Sequence, residues 1–77
     1  MDVSGRVARL LIDLAQETGG KLVVARAPAK QEIARMIGAS REMVSRMIKE
    51  LEQRALIRID RRSIIILDRE MTKVVKM

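Results

Sequence analysis

The side chains best able to do chemistry in this 77-residue chain lie between positions 41 and 49. Glu42, Ser45, Arg46 and Lys49 recur at i, i+3, i+4 and i+7, the spacing that gathers side chains on one face of a helix. Arg41 flanks them. A guanidinium can hold O6 and N7 of a guanine with two hydrogen bonds, and a carboxylate can accept one from N4 of a cytosine. Arg41, Glu42 and Arg46 are therefore chemically able to read G·C pairs. The same residues also satisfy a plainer reading. They can be a solvated helix face carrying an Arg41–Glu42 or Glu42–Arg46 ion pair worth roughly 0.2–0.5 kcal/mol.

The rest of the composition narrows the chemistry further. Lys plus Arg number 16 against 10 Asp plus Glu, a net charge of +6, which favours a polyanionic partner. The chain has no Cys and no His, which removes disulfides, thiolate metal sites, imidazole catalysis and imidazole pH switches. No metal site and no catalytic residue is expected, because the remaining Ser, Lys and carboxylates form no placed nucleophile–base pair. Phe, Trp and Tyr are absent as well, so the 48% of hydrophobic residues must build an aliphatic core, with six Met as adaptable fillers. No apolar run approaches the ~20 residues that cross a bilayer, and Asp2 stands where a secretory leader would be basic. A cytoplasmic location is the expectation.

The elements that must position the 41–49 segment follow from periodicity and punctuation. Residues 3–18 read as a helix through Val3, Val7, Leu10, Leu11 and Leu14, capped by Asp2 and stopped by Gly19-Gly20. Residues 22–26 read as a strand ended by Pro28. A second helix spans 30–37, with Ala29 a poor N-cap. Gly38-Ala39 turns the chain, and Ser40 caps a third helix over 41–53 whose Val44, Met47, Ile48 and Leu51 face inward. Gly38 is expected to relieve a Cβ clash in that turn, and Ala34 to allow a close helix crossing. Strands at 56–59 and 63–67 form a hairpin around Asp60-Arg61-Arg62, and residues 68–77 form a final helical turn or fray.

Two short helices joined by a glycine turn over 30–53, followed by a hairpin over 56–67, predict a winged helix-turn-helix. The fold class is mainly α with a small antiparallel sheet (α+β), in one domain over 1–77. Arg58, Arg61 and Arg62 gather at the hairpin turn, with Arg54 just before it. Basic wing tips commonly touch phosphates. A charged edge that discourages strand pairing between molecules accounts for them equally well.

These residues resemble the cyclic AMP receptor protein / fumarate-nitrate regulator (CRP/FNR) family of bacterial transcription factors. The resemblance runs through 2–9, Lys30-Gln31-Glu32-Ile33-Ala34, Gly38 to Arg46, Leu51-Glu52 and Leu56-Ile57, nearly everything but the tail. Its specific part is the Ser-Arg-Glu-x-Val-x-Arg run from Ser40 to Arg46. It implies double-stranded DNA as partner, with Arg41, Glu42 and Arg46, and Ser45 beside them, at the bases of a TGTGA-like half-site. It also implies phosphate contacts from Ser4, Lys30, the Gln31 backbone and Ser40, with Lys49, Arg61 and Arg62 adding charge. Met43 stands where the cyclic AMP receptor type has Thr, Ser45 follows the fumarate-nitrate type, and Ala29 replaces a hydroxyl cap. In that family an effector domain and a dimerisation helix lie upstream. The chain then reads as a piece of a longer regulator. No cofactor is expected on these residues, and an effector (a cyclic nucleotide or another ligand) is expected on the upstream domain. The piece alone is expected to be a monomer, its parent a homodimer that RNA polymerase can meet.

A winged helix serving protein or RNA contact is the competing reading. Single-stranded RNA readers usually stack bases on aromatic rings, and this chain has none. A protein-binding surface would more readily expose an apolar patch than an arginine-rich helix face. A membrane-surface role would require an apolar stripe not already committed to the core.

Overall fold

In the computed structural model, residues 3–74 are described. Val3–Leu14 forms α1, Gln16–Thr18 β1, Lys21–Val24 β2, Lys30–Ile37 α2, Arg41–Gln53 α3, Ile57–Asp60 β3, Ser63–Ile66 β4 and Met71–Val74 a last helical turn, α4. The antiparallel sheet has the order β1-β2-β4-β3. It carries β2 beside the wing strands, with Val24 opposite Ile64 and Ile59 opposite Ile64 on the other side. The expected architecture of three helices and a small antiparallel sheet is the one observed.

The first helix ends earlier than its periodicity implied. It stops at Leu14, and Gln16-Glu17-Thr18, all exposed, form a strand. Gly19 and Gly20, at φ +57° and +81°, are the two-residue loop of a β1–β2 hairpin whose flanking pair is Thr18 and Lys21. They are not a helix cap. Two consecutive positive φ angles are what the mirror-image hairpin turn demands, and glycine adopts them without a Cβ penalty. Residues 16–18 have no apolar side chain to bury, so nothing holds them helical, whereas β2 offers their backbone a ladder. The second strand likewise ends at Val24, two residues before its expected limit, where Ala25-Arg26 turn toward the wing. The Asp2 cap, and Val75 and Met77 of the tail, lie outside the described residues.

The core is aliphatic, as the composition required. Val7, Ala8 and Leu11 of α1, Ile33 and Ala34 of α2, and Val44, Ile48 and Leu51 of α3 join Val24, Leu56, Ile57, Ile64, Ile66 and Met71. No charged or polar residue is buried among the described residues. Ile37 and Met47 pack at its border, half-buried.

Both helices of the central pair end on a left-handed residue. At α2 it is Gly38, φ +72°, and Ala39 N–H reaches Ala34 C=O at 2.9 Å. A Cβ on Gly38 would meet nothing within 4 Å, so its backbone angle, not crowding, selects glycine. At α3 the left-handed residue is Ala55, φ +60°. Leu56 N–H bonds Leu51 C=O and Ala55 N–H bonds Glu52 C=O, both at 3.0 Å. Leu51 and Leu56 are both buried, completing the hydrophobic contact of a Schellman motif. An alanine Cβ strains that conformation by roughly 1–2 kcal/mol, part of which glycine's extra unfolded-chain entropy offsets. Ala55→Gly should therefore stabilise the fold by about 1 kcal/mol, raising Tm by about 4–8 °C. An unchanged or lowered Tm in a calorimetric scan would show that the strain is absent.

Candidate nucleic-acid interface

Burial of Val44, Ile48 and Leu51 fixes the rotation of α3 about its axis. Glu42, Arg46 and Lys49 are consequently exposed on the opposite face, Arg41 is exposed in the first turn, and Ser45 sits half-buried at the edge. The ion pairs among the described residues are Arg9–Asp13, Arg54–Glu50, Arg69–Glu17 and Lys73–Glu70. Neither an Arg41–Glu42 nor a Glu42–Arg46 pair is among them. The plainer reading of this face as a self-neutralised surface therefore lacks its bonds. Arg54, which the sequence sets just before the wing, lies 3.6 Å from Glu50 instead. Arg41 also opposes the positive end of the helix dipole, a location that favours acids such as Glu42. Helix stability gives no reason for an arginine at this position.

Ser40 begins α3 as expected, in extended conformation, its Oγ accepting from Met43 N–H at 3.1 Å. The hydroxyl proton remains available to donate to an anion. The first-turn N–H groups of α2, including those of Lys30 and Gln31, have no intrahelical acceptor, and Ala29 at the N-cap supplies no side chain to bond any of them. Both side chains are exposed, and Lys30 Nζ donates to Ser45 Oγ at 3.3 Å, joining the start of α2 to the edge of the α3 face. Ser4, half-buried in the first turn of α1, donates to Met47 Sδ at 2.6 Å. Arg6, which no sequence pattern singles out, donates to Ile37 C=O at 3.3 Å and sets a cation at the C-terminal end of α2.

The wing turn is a two-residue loop, Arg61-Arg62, between paired Asp60 and Ser63. Arg61 sits at φ +58°, where glycine would be comfortable. Between this turn and the start of α2 lies a cleft of about 270 Å³, floored by Ile33, Ile48 and Ile64 and edged by Lys30, Arg61 and Arg62. The wing and the α2 N-terminus thus flank one opening. Arg26 joins the wing from the β2–α2 loop. Ala27 N–H bonds Arg62 C=O at 2.8 Å, and Ser63 Oγ bonds Ala25 C=O at 2.8 Å. No pattern along the chain signals that neighbour. Only the β2–β4 pairing brings position 26 beside position 62. Among the described residues no cluster of acidic side chains could hold a metal, and no helix is long and apolar enough to cross a membrane.

A family model for the Crp-like helix-turn-helix domain matches residues 5–71. The chain is 44% identical to the cAMP-activated global transcriptional regulator Vfr of Pseudomonas aeruginosa, over 74% of this chain and 28% of that protein. Among solved structures it is similar to a CRP/FNR-family transcriptional regulator from Thermus thermophilus, with TM-score 0.76 and 30% identity over 96% of this chain and 40% of that one. It is also similar to the CO-sensing protein of R. rubrum, with TM-score 0.78 and 31% identity over 95% of this chain and 35% of that one. The chain therefore spans little more than a quarter of the length of the curated relative it matches. That relative is a global transcriptional regulator.

The Ser40 cap makes a separable contribution to this surface. Ser40→Ala should cost about 1 kcal/mol of stability by leaving Met43 N–H without its acceptor. Denaturant unfolding measures it. A midpoint unchanged from wild type would mean that the cap bond contributes nothing.

Proposed function

The chain belongs to the CRP/FNR family as a Crp-like helix-turn-helix domain, and from that premise we propose that it reads double-stranded DNA by laying α3 in the major groove. The observation that carries the reading is the α3 face itself. Arg41, Glu42, Arg46 and Lys49 are exposed together on the side of α3 away from the core and stand in none of the ion pairs among the described residues. In this reading Arg41 and Arg46 hold guanines, Glu42 accepts from a cytosine, and Ser45 meets the remaining base of a TGTGA-like half-site. Lys30, the Gln31 N–H, Ser40 and Lys49 hold phosphates around the groove, and Arg61 and Arg62 do so at the wing. Ser4 reaches a phosphate by exchanging its Met47 acceptor for an oxygen.

The assembly follows from contact area. A single small module offers limited area to DNA, and the apolar stripes of α1, α2 and α3 are committed to one core. This piece then acts as a monomer on a half-site. In a longer homodimeric parent, two copies bind half-sites about 34 Å apart, and tethering raises affinity by about 10²–10⁴. An effector on an upstream domain, a cyclic nucleotide or another ligand, sets the angle between the two α3 helices. Vfr is described as cAMP-activated and the R. rubrum protein as CO-sensing, so family membership alone leaves the effector open. RNA polymerase is the further partner of such a parent, and its compartment is the cytoplasm.

Two substitutions separate base reading from phosphate holding. Arg46→Ala should weaken binding to the specific duplex by roughly 1–3 kcal/mol and relax preference at one G·C pair. Arg61→Gly should weaken all sequences alike while raising Tm, because it relieves the left-handed strain of about 1 kcal/mol at that position. Anisotropy titrations on specific and scrambled duplexes, with melting curves, measure both. Equal losses from the two variants on both duplexes would overturn the assignment.

A further inference from the structure

We propose that Arg26 forms a second anion-binding arm with the wing, holding a DNA phosphate beyond those reached by Arg61 and Arg62. The inference rests on the DNA-binding reading and extends its footprint. Arg26, Arg61 and Arg62 line one open concavity together with Ala25, Asp60 and Ser63. Three guanidiniums there face a single carboxylate, so the concavity keeps a net positive charge. All three arginines are exposed, and none takes part in an ion pair or side-chain hydrogen bond among the described residues.

The loop that bears Arg26 is held in place. Bonds on both sides of it, Ala27 N–H to Arg62 C=O and Ser63 Oγ–H to Ala25 C=O, fix it to the wing turn at 2.8 Å each. Arg26 therefore moves with the wing, and its side chain can meet an anion without ordering a free loop first. Arg61 and Arg62 also edge the cleft that contains Lys30. The wing turn thus borders both the cleft that contains Lys30 and the concavity that contains Arg26. A phosphate backbone that passes Lys30 and then the wing would meet Arg26 next, outside the half-site. A phosphodiester chain suits these spread cations because it carries single negative charges at regular intervals, while guanidiniums bind phosphate through paired N–H donors.

The test uses the 77-residue chain and duplexes carrying a TGTGA half-site with long or short flanks on the wing side. Salt titrations by fluorescence anisotropy give the slope of log K against log salt for wild type, Arg26→Ala and Arg26→Lys. On the long duplex Arg26→Ala should lower affinity several-fold and reduce the slope by about 1, with Arg26→Lys near wild type. On the short duplex the three proteins should coincide. Melting curves should not differ, since the side chain makes no bond in the fold. Identical slopes for wild type and Arg26→Ala on the long duplex would overturn the proposal. So would an equal loss on both duplexes, which would mean that Arg26 acts within the half-site or through folding. A wild type that binds neither duplex defeats the underlying DNA reading as well, a result distinct from wild-type binding that ignores position 26.

Discussion

The anchoring of α3 governs what the rest of the molecule can present. Val44, Ile48 and Leu51 are essentially inaccessible, packed with Val7, Ala8 and Leu11 of α1 and with Ile33 and Ala34 of α2. Burying each such side chain contributes about 1.5–3 kcal/mol. The unfavourable position of Arg41 against the helix dipole costs less than about 1 kcal/mol. The buried stripe wins by a wide margin, so it sets the helix rotation whatever stands on the outer face. That face is then free to carry residues chosen for a partner. In a core without aromatic rings this anchoring depends on many small aliphatic contacts, and the loss of one, as in Leu11→Ala, costs about 2–5 kcal/mol.

Local rules and tertiary packing agree over the helix-turn-helix, which is why it is legible in the sequence. Gly38, Ser40 and the spacing of Ile33, Val44, Ile48 and Leu51 all point to the same two helices, and α2 and α3 have the expected limits. The reason expected for Gly38 is corrected, because its backbone angle matters and the space around it does not. The β1–β2 hairpin is not legible as such. Gln16, Glu17 and Thr18 carry no alternating apolar pattern, and a glycine pair after a helical stripe suits a helix stop as well as a hairpin turn. The candidate interface divides in the same way. Arg41, Glu42 and Arg46 follow from helix periodicity, which is local. Arg26 and Arg6 do not, since their neighbours Arg62 and Ile37 are brought close only by strand pairing and helix packing.

The wing shows how strain and charge bear on the same question. Two non-glycine residues among those described hold positive φ, Ala55 and Arg61. Ala55 ends a helix and makes a satisfied Schellman motif, so local architecture accounts for it. At Arg61 the two-residue wing turn demands the positive φ, but nothing in the fold demands an arginine there. Glycine would hold the turn at lower cost, and a charged residue there makes physical sense when its side chain meets something outside the molecule. Lys30, Arg26, Arg61 and Arg62 line two openings that share the wing turn, an arrangement that spreads positive charge as a polyanion requires rather than focusing it on a point ligand.

Of the α3 residues proposed to read bases, Glu42 is the most discriminating. A carboxylate near DNA is repelled by phosphates, yet it also favours the α3 N-terminus through the helix dipole. The two roles give different outcomes in a selection from randomised duplexes carried out in parallel with wild type and Glu42→Ala. If Glu42 accepts a hydrogen bond from a cytosine, the variant should recover sites with altered preference at one G·C position, with total affinity little changed. Recovery of the same half-site by both proteins would mean that Glu42 reads no base and serves as a helix-stabilising charge.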